Sequence, residues 1–434
     1  MSNYLKEALT KWADVLDDES SGKLSQKQRE VTAIVMENTS IEQAKVGRVS
    51  LDEALPGNST GNVSNFDPVV IGLLRRTMPK LIAYDFCSVQ PMTLPTGLVF
   101  AARSRYTSAT GAEAQFNEAD TGFSAGAAAQ AGTNPVDATV GLAPWDPTPG
   151  FTTTGAVSTA AGEDFGGATT MNEMAFTIEK YTVTAGTRGL KAGYTDELQQ
   201  DLKSVHGLDA EAELSTMLTN EVVAEMNREI VRTVYKSAYV GAQGTTVPGT
   251  FDLNVDSNGR WSVERFKGLM FQIEREANRI ANTTRLGRGN IILCSSDVAS
   301  ALAMTGKLDV SGIGTKELLD VDDTGNTFVG ILNGRYKVYI DPYLANGDNN
   351  QFCVVGYKGN KLGEAGMFYC PYVPLYVTKL RDPQTSQPRL FVKSRYALVG
   401  NPLNAANALA PAPAFGLASQ SNAFFRLFKV SNVH

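Results

Sequence analysis

The chain has 434 residues, 43% of them hydrophobic, with a formal net charge of -6 and a pI near 5.3. That apolar content excludes a disordered chain, and the length allows two or three domains with sizeable cores. The acidic balance argues against a general nucleic-acid binder, which needs a concentrated Lys/Arg surface, and Cys87, Cys294, Cys353 and Cys370 lack the C-x-x-C spacing of a zinc ribbon or dithiol motif.

The amino terminus has no signal-peptide core and no run approaches the roughly 18 apolar residues that span a bilayer. Synthesis in the cytoplasm, reduced and buried thiols and no membrane partner are therefore expected. Leu5, Leu9, Trp12 and Leu16 share one face of a short helix. A second helical stretch over about 26–37 offers little to bury beyond Val31, Ile34 and Val35. Up to Glu53 there are 7 Lys/Arg against 10 Asp/Glu, so half of the net charge sits here. The segment 1–64 reads as an amphipathic arm lying on another surface, with a helical pair on its own subunit as the alternative. Within it PGNSTGNVSN begins a turn-forming linker.

The stretch 65–106 is dense and has none of the usual parts of an active site. Its pieces NFDP (65–68), LRRTMPKLIAYD (74–85), VQPMTLPTGL (89–98) and ARSRY (102–106) closely resemble the segment that opens the folded body of T-even-like tailed-phage major capsid proteins. The resemblance implies an α+β fold of the Hong Kong 97 type, with an amino-terminal arm, an extended loop bearing an insertion, a peripheral domain with a spine helix, and an axial domain. It implies a shell subunit that assembles with itself into hexameric capsomers and an icosahedral head. Vertex, portal, scaffold or assembly proteins and decoration proteins are the implied partners, and DNA is enclosed without sequence-specific binding. The paralogous vertex protein, which forms pentamers, is the nearest alternative.

The same resemblance implies a maturation protease that cuts after Leu/Ile-x-Glu. Leu51-Asp52-Glu53 fits in an exposed polar linker, which makes Glu53 the candidate cleavage site. Leu5-Lys6-Glu7 and Leu362-Gly363-Glu364 fit as well. Arg75, Arg76, Arg103 and Arg105 are the candidate intersubunit contacts, because guanidinium groups pair well with carboxylates at interfaces. Ion pairs within one subunit are the equal alternative.

From 107 to 173 the composition turns to Ala, Gly, Thr and Pro, with too few large apolar side chains to offset ordering. A mobile linker is one reading; the resemblance implies the extended loop and its insertion, anchored by Trp145, Phe151 and Phe165. MAFTIEKYTVT (174–184) alternates Phe176, Ile178 and Val183 with polar positions, as a returning strand does.

In 174–249, the expected peripheral domain, Thr195 caps a helix with acids in its first turn. A longer helix over about 209–236 repeats Leu214, Leu218, Val222, Met226, Ile230 and Val234, with Met217 and Val231 widening the stripe. A four-residue step drifts about 40° per repeat against the 3.6-residue turn, so both sides of this helix need partners. The axial domain is expected over 250–372. It has a helix from Ser262 with a charged face including Glu264, Glu274, Arg275, Glu276 and Arg279, read mainly as solvated. A strand–turn–helix unit at 290–306, capped by Ser296 or Asp297, a hairpin turning at Asn333-Gly334, and a strand near 351–359 follow. Two antiparallel strands at 373–403 and a tail anchored by Phe424, Phe425, Leu427 and Phe428 complete 373–434.

No catalytic, cofactor or metal residues are assigned. The two histidines are His206 and His434; His206 beside Gly207 reads as a helix C-terminal residue, and H-E-x-x-H, G-x-S-x-G and G-x-G-x-x-G are absent. Glu163-Asp164 and Asp322-Asp323 read as solvated turns. A carboxylate-based hydrolase and a glycan-binding module are the remaining alternatives to a shell subunit.

Overall fold

The computed structural model describes residues 3–17, 24–49, 81–114, 119–125, 156–167, 171–257, 259–309, 328–343, 351–361, 363–382, 384–385, 387–401 and 419–433. Its helices are α1 (Asn3–Lys11), α2 (Ala13–Leu16), α3 (Gln26–Val49), α4 (Ala83–Phe86), α5 (Thr159–Glu163), α6 (Asp196–Val205), α7 (Ala210–Ser237), α8 (Ser262–Thr284) and α9 (Ser296–Met304). Its strands are β1 (Ser88–Val89), β2 (Thr96–Tyr106), β3 (Met174–Thr184), β4 (Gly186–Gly193), β5 (Ala238–Val240), β6 (Thr250–Asp252), β7 (Ile291–Cys294), β8 (Leu308–Asp309), β9 (Phe328–Leu332), β10 (Tyr336–Ile340), β11 (Phe352–Gly356), β12 (Met367–Arg381), β13 (Pro388–Gly400) and β14 (Asn422–Ser431). The mixture is α+β, as expected. Two compact units divide it, Leu98–Tyr181 and the remainder, Met1–Gly97 with Thr182–His434.

The larger unit holds two sheets. One runs β1-β12-β13-β4, and the other runs β5-β14-β11-β7-β10-β9-β8 with β6 beside β14. In the second sheet, β7 is buried at every position, the continuous apolar run that a central strand requires. It lies parallel to β10 and antiparallel to β11. The β9–β10 hairpin turns through Asn333 and Gly334 at φ 57 and 67, the paired positive values of a type I′ turn. The tail enters this sheet as β14, placing Phe424, Phe425 and Phe428 in the core. In the first sheet, β12 shifts register between Pro371 and Val373 and again before Tyr376. Proline lacks the N–H a ladder needs, so Pro371 and Pro374 fall where the pairing is irregular.

Helix α7 carries the winding stripe predicted for it. Leu218, Val222, Met226, Ile230 and Val234 are buried, and the helix packs on β4 and β13 from one sheet and β14 from the other. Met217 departs from the expectation: it is exposed, on the side the winding stripe has left. Polar clamps fix the helix. Arg228 forks onto both Asp341 oxygens (2.7 and 2.6 Å), Tyr235 donates to the same carboxylate (2.6 Å), and Arg188 of β4 reaches Glu225 and Glu229 (3.0 and 2.7 Å). The Asn227 amide oxygen accepts the Ile82 backbone N–H (3.0 Å).

Two local expectations are corrected. Glu276 is not on a solvated face: its side chain is fully buried, accepting from the Ala242 N–H (3.0 Å), Gln272 (2.8 Å) and Arg279 (2.9 Å). It pins the turn after β5 to α8, and the cationic partners offset the cost of burying a carboxylate. The N-cap of α9 is Ser295, one residue before Ser296 and two before Asp297; its hydroxyl bonds Gln351, which in turn reaches Asp297 (2.5 Å). Thr195 caps α6 through the Leu198 N–H (3.2 Å), and His206 is the C-cap of that helix, ahead of Gly207 at φ 67.

Candidate interaction surfaces

The smaller unit is built on the β2–β3 ribbon. At its far end the Thr107 N–H donates to the Glu173 carbonyl (2.9 Å), and an added edge at 112–114 bonds β2 through Tyr106 and Ser104. Tyr106 packs on Phe123 at 4.4 Å, and the Asn172 amide donates to the Phe123 carbonyl (2.6 Å). Exposure alternates with period two along the described positions of β3 and the first part of β2. Leu98, Phe100, Met174, Phe176 and Ile178 are 47 to 67% exposed, whereas Arg103, on the alternate phase of β2, is 5% exposed. In an ordinary half-buried strand the apolar positions are the covered ones. Here the pattern is inverted, so a continuous apolar face stands open while a charged residue is sheltered.

Arg103 and Arg105 occupy that sheltered side. Arg103 meets Glu113 at 3.4 Å; Arg105 donates to the Gly111 carbonyl (2.9 Å) and to the Thr177 hydroxyl (3.4 Å). These contacts belong to one subunit and brace the loop at 107–113. Glu53, Arg75, Arg76, Trp145, Phe151 and Asp322-Asp323 lie outside the described residues. Phe165 is 37% exposed.

The arm helices rest on the larger unit of their own chain. Leu5, Ala8, Trp12 and Leu16 are buried, and Ala8, Trp12 and Leu16 cluster with Ala33 and Met36 of α3, with Tyr376 of β12 packed against them. Helix α3 is longer than predicted and buries more. Val31, Ala33, Val35 and Met36 are all covered, and so are Thr32, Asn38 and Thr39. The buried Asn38 amide donates to the Met92 carbonyl (2.7 Å) and the Tyr372 carbonyl (3.0 Å). Tyr372 lies in the irregular stretch of β12, so the arm satisfies an acceptor where the ladder is broken. Glu37 accepts from both Lys11 (2.9 Å) and the Trp12 indole (3.0 Å).

Between arm and body lies a cavity of about 500 Å³, whose lining includes Lys27, Tyr84, Asp85, Gln90 and Lys358. Burial pulls the Lys358 ammonium below its ordinary pKa, and it donates to the Tyr84 carbonyl. Among the described residues no group of three or more His, Cys, Asp or Glu side chains is placed to hold a metal ion. Asn38, Asp341 and Glu276 were not singled out as structural anchors from sequence. Asn38 and Asp341 carry no distinguishing local pattern and Glu276 sits in an ordinary helical charge run, so only the packing reveals their partners.

A surface of this kind, with an open apolar ribbon and a separately seated arm, suits a chain that meets other protein. A family model described as "Major capsid protein Gp23" matches residues 63–430. The chain belongs to the Gp23 major capsid protein family. It is 37% identical to the major capsid protein of Salmonella phage ViI over 97% of each chain. It is 40% identical to that of Vibrio phage KVP40 over 80% of this chain and 78% of the other, and 33% to that of Enterobacteria phage T4 over 98 and 99%. The capsid vertex protein of phage T4 matches at 27% over only 53% of this chain. The chain is therefore a major capsid protein, a structural component of the virion shell, and the Hong Kong 97-type fold implied by its opening segment goes with that family. Similar solved structures are also capsids. They include the capsid of Myoviridae phage XM1 (8% identity, 80% of this chain and 91% of the other, TM-score 0.39) and an empty GTA particle (11%, 91 and 99%, 0.38). The assignment rests on the sequence family and not on them.

Proposed function

We propose that this subunit assembles into hexameric capsomers by laying the apolar face of its β2–β3 ribbon on a neighbouring copy. The exposed row Leu98, Phe100, Met174, Phe176 and Ile178 carries this reading. Such a face loses hydration only on association, and repeating it around a closed ring turns modest contacts into a cooperative shell. Arg103 and Arg105 act in this scheme by stiffening the ribbon, and Arg75 and Arg76 supply contacts to a neighbour. In this reading the domains are an arm 1–64, an extended loop with insertion 107–173, a peripheral domain 65–106 and 174–249 with return strands in 373–403, and an axial domain 250–372 whose sheet the tail strand β14 joins.

The arm acts before maturation and is severed after Glu53. Vertex, portal, scaffold and decoration proteins join the shell, which is assembled in the host cytoplasm. It encloses DNA without sequence-specific binding, consistent with a net charge of -6 that leaves the polymer unattached. The chain has no catalytic activity. Electron microscopy and sedimentation of the expressed full-length chain, alone and with assembly chaperones, test the proposal. Closed particles or hexamer sheets are expected, and a monodisperse small oligomer under all conditions would refute it.

A further inference from the structure

The four cysteines, scattered in sequence, come together as two neighbouring couples: Cys87 with Cys370, and Cys294 with Cys353. All are free and buried. The couples differ in geometry. Cys294 and Cys353 are direct register partners on antiparallel β7 and β11. The next pair, Ser295 and Phe352, is joined by a Ser295 N–H to Phe352 carbonyl bond (3.3 Å), which makes it a hydrogen-bonded position of the ladder. Positions alternate along an antiparallel pair, so Cys294–Cys353 is a non-hydrogen-bonded pair. In that class the Cα atoms approach to about 4.5 Å and the side chains come closest. A disulfide accepts Cα separations of about 4.4–6.8 Å, so this position suits one. Cys87 has no such partner. Ser88 pairs with Phe368 in parallel, which puts Met367 opposite Cys87, while Cys370 lies three residues farther along β12.

We propose that Cys294 and Cys353 form a latent cross-strand disulfide site, closed by exchange with a low-molecular-weight disulfide such as oxidised glutathione. One cysteine, as thiolate, attacks the oxidant and forms a mixed disulfide, releasing one glutathione thiolate. The second loses its proton and attacks the protein-side sulfur, expelling the other. Two electrons and two protons leave the protein, one S–S bond forms in it, and two glutathione thiols result. Burial pushes the Cys294 thiol up to about 12 and Cys353 well above its ordinary value, so the closed sheet is unreactive. Exchange waits for local opening of β11 and its neighbour β14. The pair is a dithiol in a reducing compartment and becomes a staple in an oxidising one.

The test incubates the purified full-length chain with oxidised glutathione at a temperature at which the β11 amides exchange within the incubation. The sample is then denatured, alkylated and analysed by non-reducing peptide mass spectrometry. A peptide linking Cys294 to Cys353 is expected, with Cys87 and Cys370 alkylated. The melting temperature should rise by roughly 5 °C, reversibly with dithiothreitol. Cys353→Ala should abolish link and rise together, and Cys370→Ala should leave both. Glutathione adducts alone, a link through Cys87 or Cys370, or four alkylated thiols would each overturn the site. A link without any rise would overturn the staple.

Discussion

Replacing Phe176 by Asp separates assembly from folding. Phe176 is 67% exposed in the subunit, so its loss removes little from the fold, and a surface change of this kind shifts stability by about 0.5 kcal/mol or less. Against a neighbour the balance is different. A buried Phe covers about 200 Å², of which roughly two-thirds, or about 130 Å², becomes available at an interface; at 25 cal/mol per Å² that is about 3 kcal/mol per contact. A carboxylate there must also be desolvated, which adds several kcal/mol more. The pairwise association constant should therefore fall by two orders of magnitude or more, and the loss repeats at every contact of a ring. Thermal unfolding of the soluble subunit reads the first quantity, and sedimentation with negative-stain microscopy reads the second. Phe176→Asp should melt within a few degrees of wild type yet form no particles, while Phe176→Leu should keep most of the yield. Wild-type particle yield from Phe176→Asp, or a melting temperature that falls in step with assembly, would show that the ribbon face is not the contact.

Asp341→Ala should cost about 3–5 kcal/mol, because it strips Arg228 and Tyr235 of a buried shared acceptor; a drop of roughly 3–5 °C in scanning calorimetry is expected. Asn38→Ala leaves the Met92 and Tyr372 carbonyls without that donor at a cost of about 1–3 kcal/mol, so proteolysis of the arm should quicken about 5- to 100-fold while the body is unchanged. Burial alone would raise the Asp256 carboxyl, but bonds from the Thr246 and Asp252 N–H groups and the Thr246 hydroxyl outweigh it and hold it below its ordinary value. A depressed pKa contributes stability above the ordinary carboxylate value that is lost as pH falls, so protection of the 242–256 amides, measured against their intrinsic exchange rates, should fall below about pH 4. Asp256→Asn should show the lower protection already at neutral pH. Mass spectrometry of subunits from mature particles should find a new amino terminus after Glu53; an intact amino terminus there would remove the processing step.

Where strong local rules act, they were readable in advance. Asn333-Gly334 announced its hairpin because few other dipeptides tolerate two positive φ values, and the run IILC, short and bounded by Gly289-Asn290 and Ser295-Ser296, fitted a buried strand better than a helix. Helix α7 was legible from its four-residue repeat, whereas its cap at Asp209 shows only in the structure. Glu276 was misread because a charge run along a helix has the same appearance whether or not a turn from elsewhere folds over it. Ser295 takes the N-cap position through its extended backbone, while its hydroxyl bonds Gln351, 56 positions away, a partner the local sequence does not mark. The ribbon was predicted as a strand, but not that Phe176 and Ile178 would face outward: alternation reports period, and not which phase is covered.

From its order of residues alone this protein declared a family, through four closely spaced pieces in 65–106, and a set of helices and strands governed by local propensity. What awaited three dimensions was partnership. That Asn38 would plug carbonyls of a broken ladder, that Asp341 would hold the spine helix, and that Cys294 would face Cys353 all depend on residues brought together from distant parts of the chain. Hydrogen bonds and packing act over a few ångströms of space whatever the distance along the sequence, so only the folded chain decides which groups meet.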